Sequence, residues 1–116
     1  MLYPDEVETL KPVLREGAYG DWLDYENPDI APVPFRVWIQ PVSSVENYDG
    51  MGTTIVVTGY RLITPPGTQL DVTSQDRIRR VGETEEFEVQ GKPAQWGRPL
   101  IHSEINLQIY EGVGGG

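Results

Sequence analysis

Residues 101–110 read Ile101-His102-Ser103-Glu104-Ile105-Asn106-Leu107-Gln108-Ile109-Tyr110. Ile101, Ser103, Ile105, Leu107 and Ile109 alternate with His102, Glu104, Asn106, Gln108 and Tyr110. A period of two held this long predicts a half-buried β-strand, with one face against a core and the other toward solvent or a neighbour. The preceding stretch predicts a hairpin. Arg77-Ile78-Arg79-Arg80-Val81 leads through Gly82-Glu83-Thr84 into Glu85-Glu86-Phe87-Glu88-Val89. Phe87 and Val89 share one face, and Glu86, Glu88 and Gln90 the other. Closing this hairpin sets Arg77, Arg79 and Arg80 opposite the glutamates, where each opposite-charge pair contributes only about 0.2–1 kcal/mol and fixes register more than stability. Gln90-Gly91-Lys92-Pro93 forms the next turn, followed by Trp96.

Upstream, Phe35, Val37 and Ile39 alternate with Arg36, Trp38 and Gln40. Large apolar groups on both sides predict a strand covered on both faces. The β-branched and aromatic run Thr53–Ile63 favours another strand. Gly59 within it predicts a bulge or bend. Near the start, Val7, Leu10 and Leu14 have helical spacing, but Pro12 inside such a helix costs about 3 kcal/mol. An edge hairpin is favoured: Leu10, Pro12 and Leu14 share a face, and Glu16-Gly17 turns the chain back through Tyr19 and Trp22. Residues 27–34, with three prolines, read as a linker.

These pieces add up to an all-β protein, a small β-barrel of about six or seven short strands with an extended N-terminal arm or edge hairpin. Residues 1–30 form the arm or hairpin and 31–112 the barrel domain. The glycine-rich residues 113–116 form a flexible tail. The 116-residue length suits one domain.

Composition narrows the function. There are 18 acidic and 9 basic side chains, for a net charge of −9. Such a surface repels phosphates, whose contacts dominate nucleic-acid affinity. Ordinary DNA or RNA binding is not expected. No apolar run approaches the about 18 residues of a membrane span, and the N-terminus does not read as a signal peptide. Cysteine is absent, which removes disulfides and thiolate metal sites.

Little chemistry is legible. His102 is the only histidine, and its neighbour Ser103 points to the opposite face of the strand, so the two make no nucleophile–base pair. Asp21, Asp24 and Glu26 crowd around Trp22 and Tyr25 without the regular oxygen-ligand loop that calcium needs. Gly50-Met51-Gly52 lacks the lysine and following helix of a phosphate cradle. The basic cluster at Arg77, Arg79 and Arg80 reads as a salt-bridged hairpin. No catalytic residue, cofactor or metal site is therefore expected, and the chain does not read as an enzyme. Two loops stand out. Ser43, Ser44, Val45, Glu46, Asn47, Tyr48, Asp49, Gly50, Met51 and Gly52 make a long, polar segment between two strands. Long loops on a rigid β scaffold often carry function. Thr64-Pro65-Pro66-Gly67-Thr68 is stiff and reads as structural.

Val37-Trp38-Ile39-Gln40-Pro41-Val42-Ser43-Ser44-Val45-Glu46 resembles the V-x-x-Q-P-x-S-S-x-E pattern of head-to-tail stopper (head-closure) proteins from phages of actinobacteria. Asp76-Arg77-Ile78-Arg79, Phe87 to Pro93, Trp96, Glu104 to Leu107 and Glu111-Gly112 resemble the ordered motifs that end the same proteins. Gly20-Asp21 and Trp22 match elements near their start. The likeness runs from Tyr19 to Gly112. Family members often carry a basic residue where Asp49 and Met51 stand, and the acidic patch near the N-terminus is heavier than usual; both departures bear on partner contacts rather than on fold.

The resemblance implies a homo-oligomeric ring, hexamer or dodecamer, in the virion neck, made in the bacterial host cytoplasm. Adaptor or portal proteins stand above it and tail proteins below, with packaged DNA passing close by and no membrane. It further implies that Ser43–Gly52 projects into the channel and helps to close it. Glu46 and Asp49 would repeat around the ring, and Tyr48 or Met51 would form a constriction. Tyr19, Trp22 and Tyr25 are the candidate subunit or partner contacts, since aromatic residues are enriched at interface cores. Alternatives are a tail-completion (terminator) or other connector ring protein, or a monomeric β-barrel module that binds a small ligand between Trp22, Trp38 and Trp96.

Overall fold

Alternation and β-branched content turn the chain into seven strands. The computed structural model describes residues 2–48 and 52–110, with backbone alone for 44–48 and 52–56. The strands are β1 (Val7–Gly17), β2 (Gly20–Pro32), β3 (Trp38–Tyr48), β4 (Gly52–Ile63), β5 (Arg77–Arg80), β6 (Glu86–Trp96) and β7 (His102–Ile109). They form one antiparallel sheet in the order β2-β1-β5-β6-β7-β4-β3. No helix among the described residues is long and apolar enough to cross a membrane.

The inner face of the sheet holds the core. Ile78 pairs with Phe87 and Val89 with Leu107, while Leu62 lies between Ile39 and Ile105. All of these are buried, and Val7, Val33 and Val37 join them. Tyr60 meets Phe87 edge-on, ring centroids 5.2 Å apart, the geometry that aromatic quadrupoles favour. Each fully buried side chain of this kind stabilises the fold by about 1.5–3 kcal/mol. The connection from β4 to β5 adds Leu70 and Val72 to the cluster.

The expected barrel is not closed by a full ladder. From Glu8 onward one margin of β1 is occupied by β2, pairing Glu8 with Pro32 through Lys11 with Asp29, and the other carries β5. Among the described residues, the start of β3 therefore meets β1's chain ahead of that strand, at an isolated bridge between Asp5 and Val37. The sheet is open, and this bridge draws its two flanks together.

The hairpin β5–β6 closes as anticipated and sets Arg77 opposite Glu88 and Arg79 opposite Glu86. Arg80 departs from the expectation. Neighbouring residues on a strand face opposite sides, so Arg79 and Arg80 cannot both face the glutamates. Arg80 turns inward, its guanidinium 5.4 Å from the Phe87 ring centroid and its Nε donating to Asp5 Oδ1 at 3.1 Å. On the outer face Arg79 pairs with Glu8 at 2.7 Å, and Arg77 reaches Glu86 at 3.4 Å.

Three further expectations are revised. The proline-rich linker at 27–34 lies largely within β2. Prolines suit that position because β2 is an edge strand. Pro12 sits where the β1–β2 register shifts, between Lys11 and Val13. Trp38 is 36% exposed, so β3 is covered on one face only. The bulge anticipated at Gly59 falls one residue earlier, at Thr58, because Val42 pairs with Gly59 and Ser43 with Val57.

Candidate functional site

Two long hairpins reach beyond the core. The first is β1–β2. Its strands pair down to Gly17 and Gly20, and residues 14–22 are all exposed. Gly20 adopts φ 123°, a conformation open to glycine at little cost, and so makes the turn. Trp22 lies over Gly17, where an added Cβ would stand 3.5 Å from the indole Nε1. Leu14, Glu16, Asp21 and Leu23 share the opposite face of the ribbon, with Glu16 directly across from Asp21.

Asp24 organises the base of this hairpin. One carboxylate oxygen accepts the backbone N–H groups of Glu26 (2.9 Å) and Asn27 (3.2 Å), and the other accepts Arg15 Nε at 3.1 Å. These bonds shape the four residues of β2 that oppose Pro12 alone. Burial disfavours the charge on Asp24, but the Glu26 N–H, Arg15 and the Asn27 N–H together outweigh it and hold the carboxyl below its ordinary range.

The three aromatic candidates separate. Tyr19, at the turn, is fully exposed, and Trp22 is 53% exposed. Tyr25 turns back onto its own chain. Its hydroxyl donates to Gln75 O at 2.9 Å. The Arg77 guanidinium lies between its ring and that of Tyr110, at 4.1 and 3.6 Å from the centroids.

The second projecting element replaces most of the expected loop at Ser43–Gly52. β3 and β4 continue as a ladder past the bulge, from Ser43 with Val57 to Tyr48 with Gly52. β4's pairing with β7 starts only at Tyr60, so this part is a two-stranded ribbon. The β-branched run Thr53–Val57 recruits the polar segment opposite it. Asp49, Gly50 and Met51 lie outside the described residues.

Where β4 parts from β7 there is an open notch of about 600 Å³, lined by Val57, Tyr60, Ile109 and Tyr110 among others. None of the tryptophans lines it. Trp22, Trp38 and Trp96 sit on three different strands.

Ser103 and His102 of β7 are engaged internally. The Ser103 hydroxyl faces inward, donates to Gln95 Oε1 and accepts the Leu70 N–H at 2.9 Å. Its backbone N–H reaches Thr64 Oγ1 at 2.7 Å. His102, on the other face, stacks on Trp96 with the ring planes 4° apart, and its ring nitrogens meet Leu100 O and Glu104 Oε2. Among the described residues no group of three or more His, Asp or Glu side chains is placed to hold a metal ion.

No protein-family model matches the chain, and no curated protein is significantly similar to it. What this surface offers is therefore projection and exposed apolar area. Sequence alone places Leu14 on the first hairpin and gives Leu100 no role, yet the two are 60% and 53% exposed.

Proposed function

We propose that the chain is one subunit of a ring in the neck of a tailed phage, between portal or adaptor and tail. There it closes the DNA channel after packaging and offers the tail a docking surface. The ordered motifs from Tyr19 to Gly112 suggest this place, and the all-β fold suits it. The observation that carries the reading is the β3–β4 ribbon, which runs six residue pairs beyond the bulge at Thr58. A two-stranded ribbon is marginal by itself in water. Gathered around a ring axis, such ribbons form a gate across a channel. The acidic surface, net charge −9, neutralises few phosphates, so DNA slides past without being trapped.

Electron microscopy of the purified protein tests the ring, with annular particles the expected result. A protein that stays monomeric and binds a small ligand instead would overturn it. The gate is tested by removing residues 46–52. Virions built with that chain are expected to leak DNA; virions that keep their DNA and accept tails would remove the gating role.

A further inference from the structure

The described ion pairs engage most of the cations. Lys11, Arg15, Arg77, Arg79 and Arg80 each reach a carboxylate within 3.4 Å. Lys92 and Arg98 have no carboxylate partner among the described residues, and both are exposed. Arg98 lies in the turn of the β6–β7 hairpin, where Trp96 and Leu100 are each 53% exposed, whereas Lys92 lies in the bulge between Gln90 and Ala94, further down the ladder. This end is basic and apolar.

The β1–β2 tip has the opposite character. Glu16 and Asp21 stand directly across from each other, both exposed. Like charges in that position are destabilising, and no cation of the described residues answers them. Leu14 shares their face, and Tyr19 caps the turn. The tip presents a cost that a cation from outside would remove.

The topology sets both tips at the same end of the molecule. β5 is antiparallel to β1 and β6 is antiparallel to β5, so β1 and β6 run the same way and their following turns point the same way. Copies rotated about an axis along the strands therefore bring the two tips together at one height. Such a contact is heterologous, as a closed ring requires.

We propose that the β1–β2 tip of one copy docks on the β6–β7 tip of the next, with Glu16 and Asp21 taking Arg98, and with Leu14 and Tyr19 packing on Trp96 and Leu100. This rests on the reading of the chain as a ring subunit. It assigns that ring its contact.

The chain has no cysteine, which makes disulfide trapping clean. The double variant Tyr19→Cys with Leu100→Cys, oxidised, is expected to give a ladder of covalent multimers that collapses on reduction. An equimolar mixture of the two single variants should stop at dimers. Because both positions are exposed, the circular dichroism spectrum should match that of the unaltered chain. Independently, Glu16→Lys with Asp21→Lys should weaken assembly about tenfold by setting like charges together. Adding a chain with Arg98→Glu should restore it.

If the unaltered chain forms rings while the double variant yields no ladder and charge reversal leaves assembly unchanged, the proposed contact is wrong and the ring stands. Dimers from Tyr19→Cys alone would mean that tip meets tip, which overturns the head-to-tail contact. A chain that native mass spectrometry finds monomeric at every concentration removes both the contact and the ring.

Discussion

Asp5 and Val37 exchange both of their backbone hydrogen bonds, at 2.9 and 2.8 Å. The Asp5 side chain extends the junction in two directions. Oδ2 accepts the Ile39 N–H at 2.8 Å, and Oδ1 accepts Arg80 Nε at 3.1 Å. One residue thus ties the start of β3 to β5 where the two flanks of the sheet meet.

Asp5→Ala should therefore lower stability by about 1–3 kcal/mol, the range for stranding partly buried polar partners. Asp5→Asn should cost less, since its side-chain oxygen still accepts the Ile39 N–H. Urea midpoints of the three proteins measure this. Equal midpoints would show that the junction contributes nothing.

Asp24 predicts a response to acid. Its carboxyl is held below the ordinary value of 3.8 by the Glu26 N–H, Arg15 and the Asn27 N–H, against the opposing effect of burial. A depressed carboxyl contributes stability that is fully present above the unfolded-state value. That contribution is lost as pH falls through the lower folded-state value. The melting temperature of the native chain should thus exceed that of Asp24→Asn near neutral pH, and the gap should narrow below pH 3.8. A gap that stays constant to pH 2 would separate the carboxylate bonds from the acid response.

Ser103 is fully buried, and its hydroxyl is the acceptor for the Leu70 N–H at 2.9 Å. Ser103→Ala leaves that N–H without a partner in the core, at a cost of about 1–3 kcal/mol. Equilibrium unfolding gives the number. Hydrogen exchange at the Leu70 amide locates it, because that amide should exchange faster while those of β5 keep their order of protection. Unaltered exchange at Leu70 would contradict the assignment.

The strands were legible where pattern and environment coincide. Ser103, Ile105 and Leu107 are buried, while Asn106 and Gln108 between and beyond them are exposed. The alternation in residues 101–110 requires this. Phe87 and Val89 behave likewise. Reading failed where a neighbour decides the outcome. Ser43–Tyr48 looks like a loop because it is polar, and becomes strand because Thr53–Val57 returns beside it. Pro28 and Pro32 look like breaks, and are accommodated because β2 has one margin free. Strand parity alone sends Arg80 to the face opposite Arg79, which the run of basic residues by itself does not show. Of the candidate contacts, Tyr19 and Trp22 lie on the projecting hairpin, whereas Tyr25 packs on Arg77, a partner 52 positions away in the chain that no local pattern reveals.

The prolines of β2 have one more effect. Val33 N–H donates to Val7 O at 3.0 Å, so by the alternation of a ladder the nitrogen of Pro32 faces away from β1, and that of Pro28 does too. Neither carries a hydrogen. Along residues 28–32 only Ile30 has an outward donor to offer. This flank of the sheet is a poor template for an arriving strand, which guards the chain against growing edge to edge into fibrils at high local concentration.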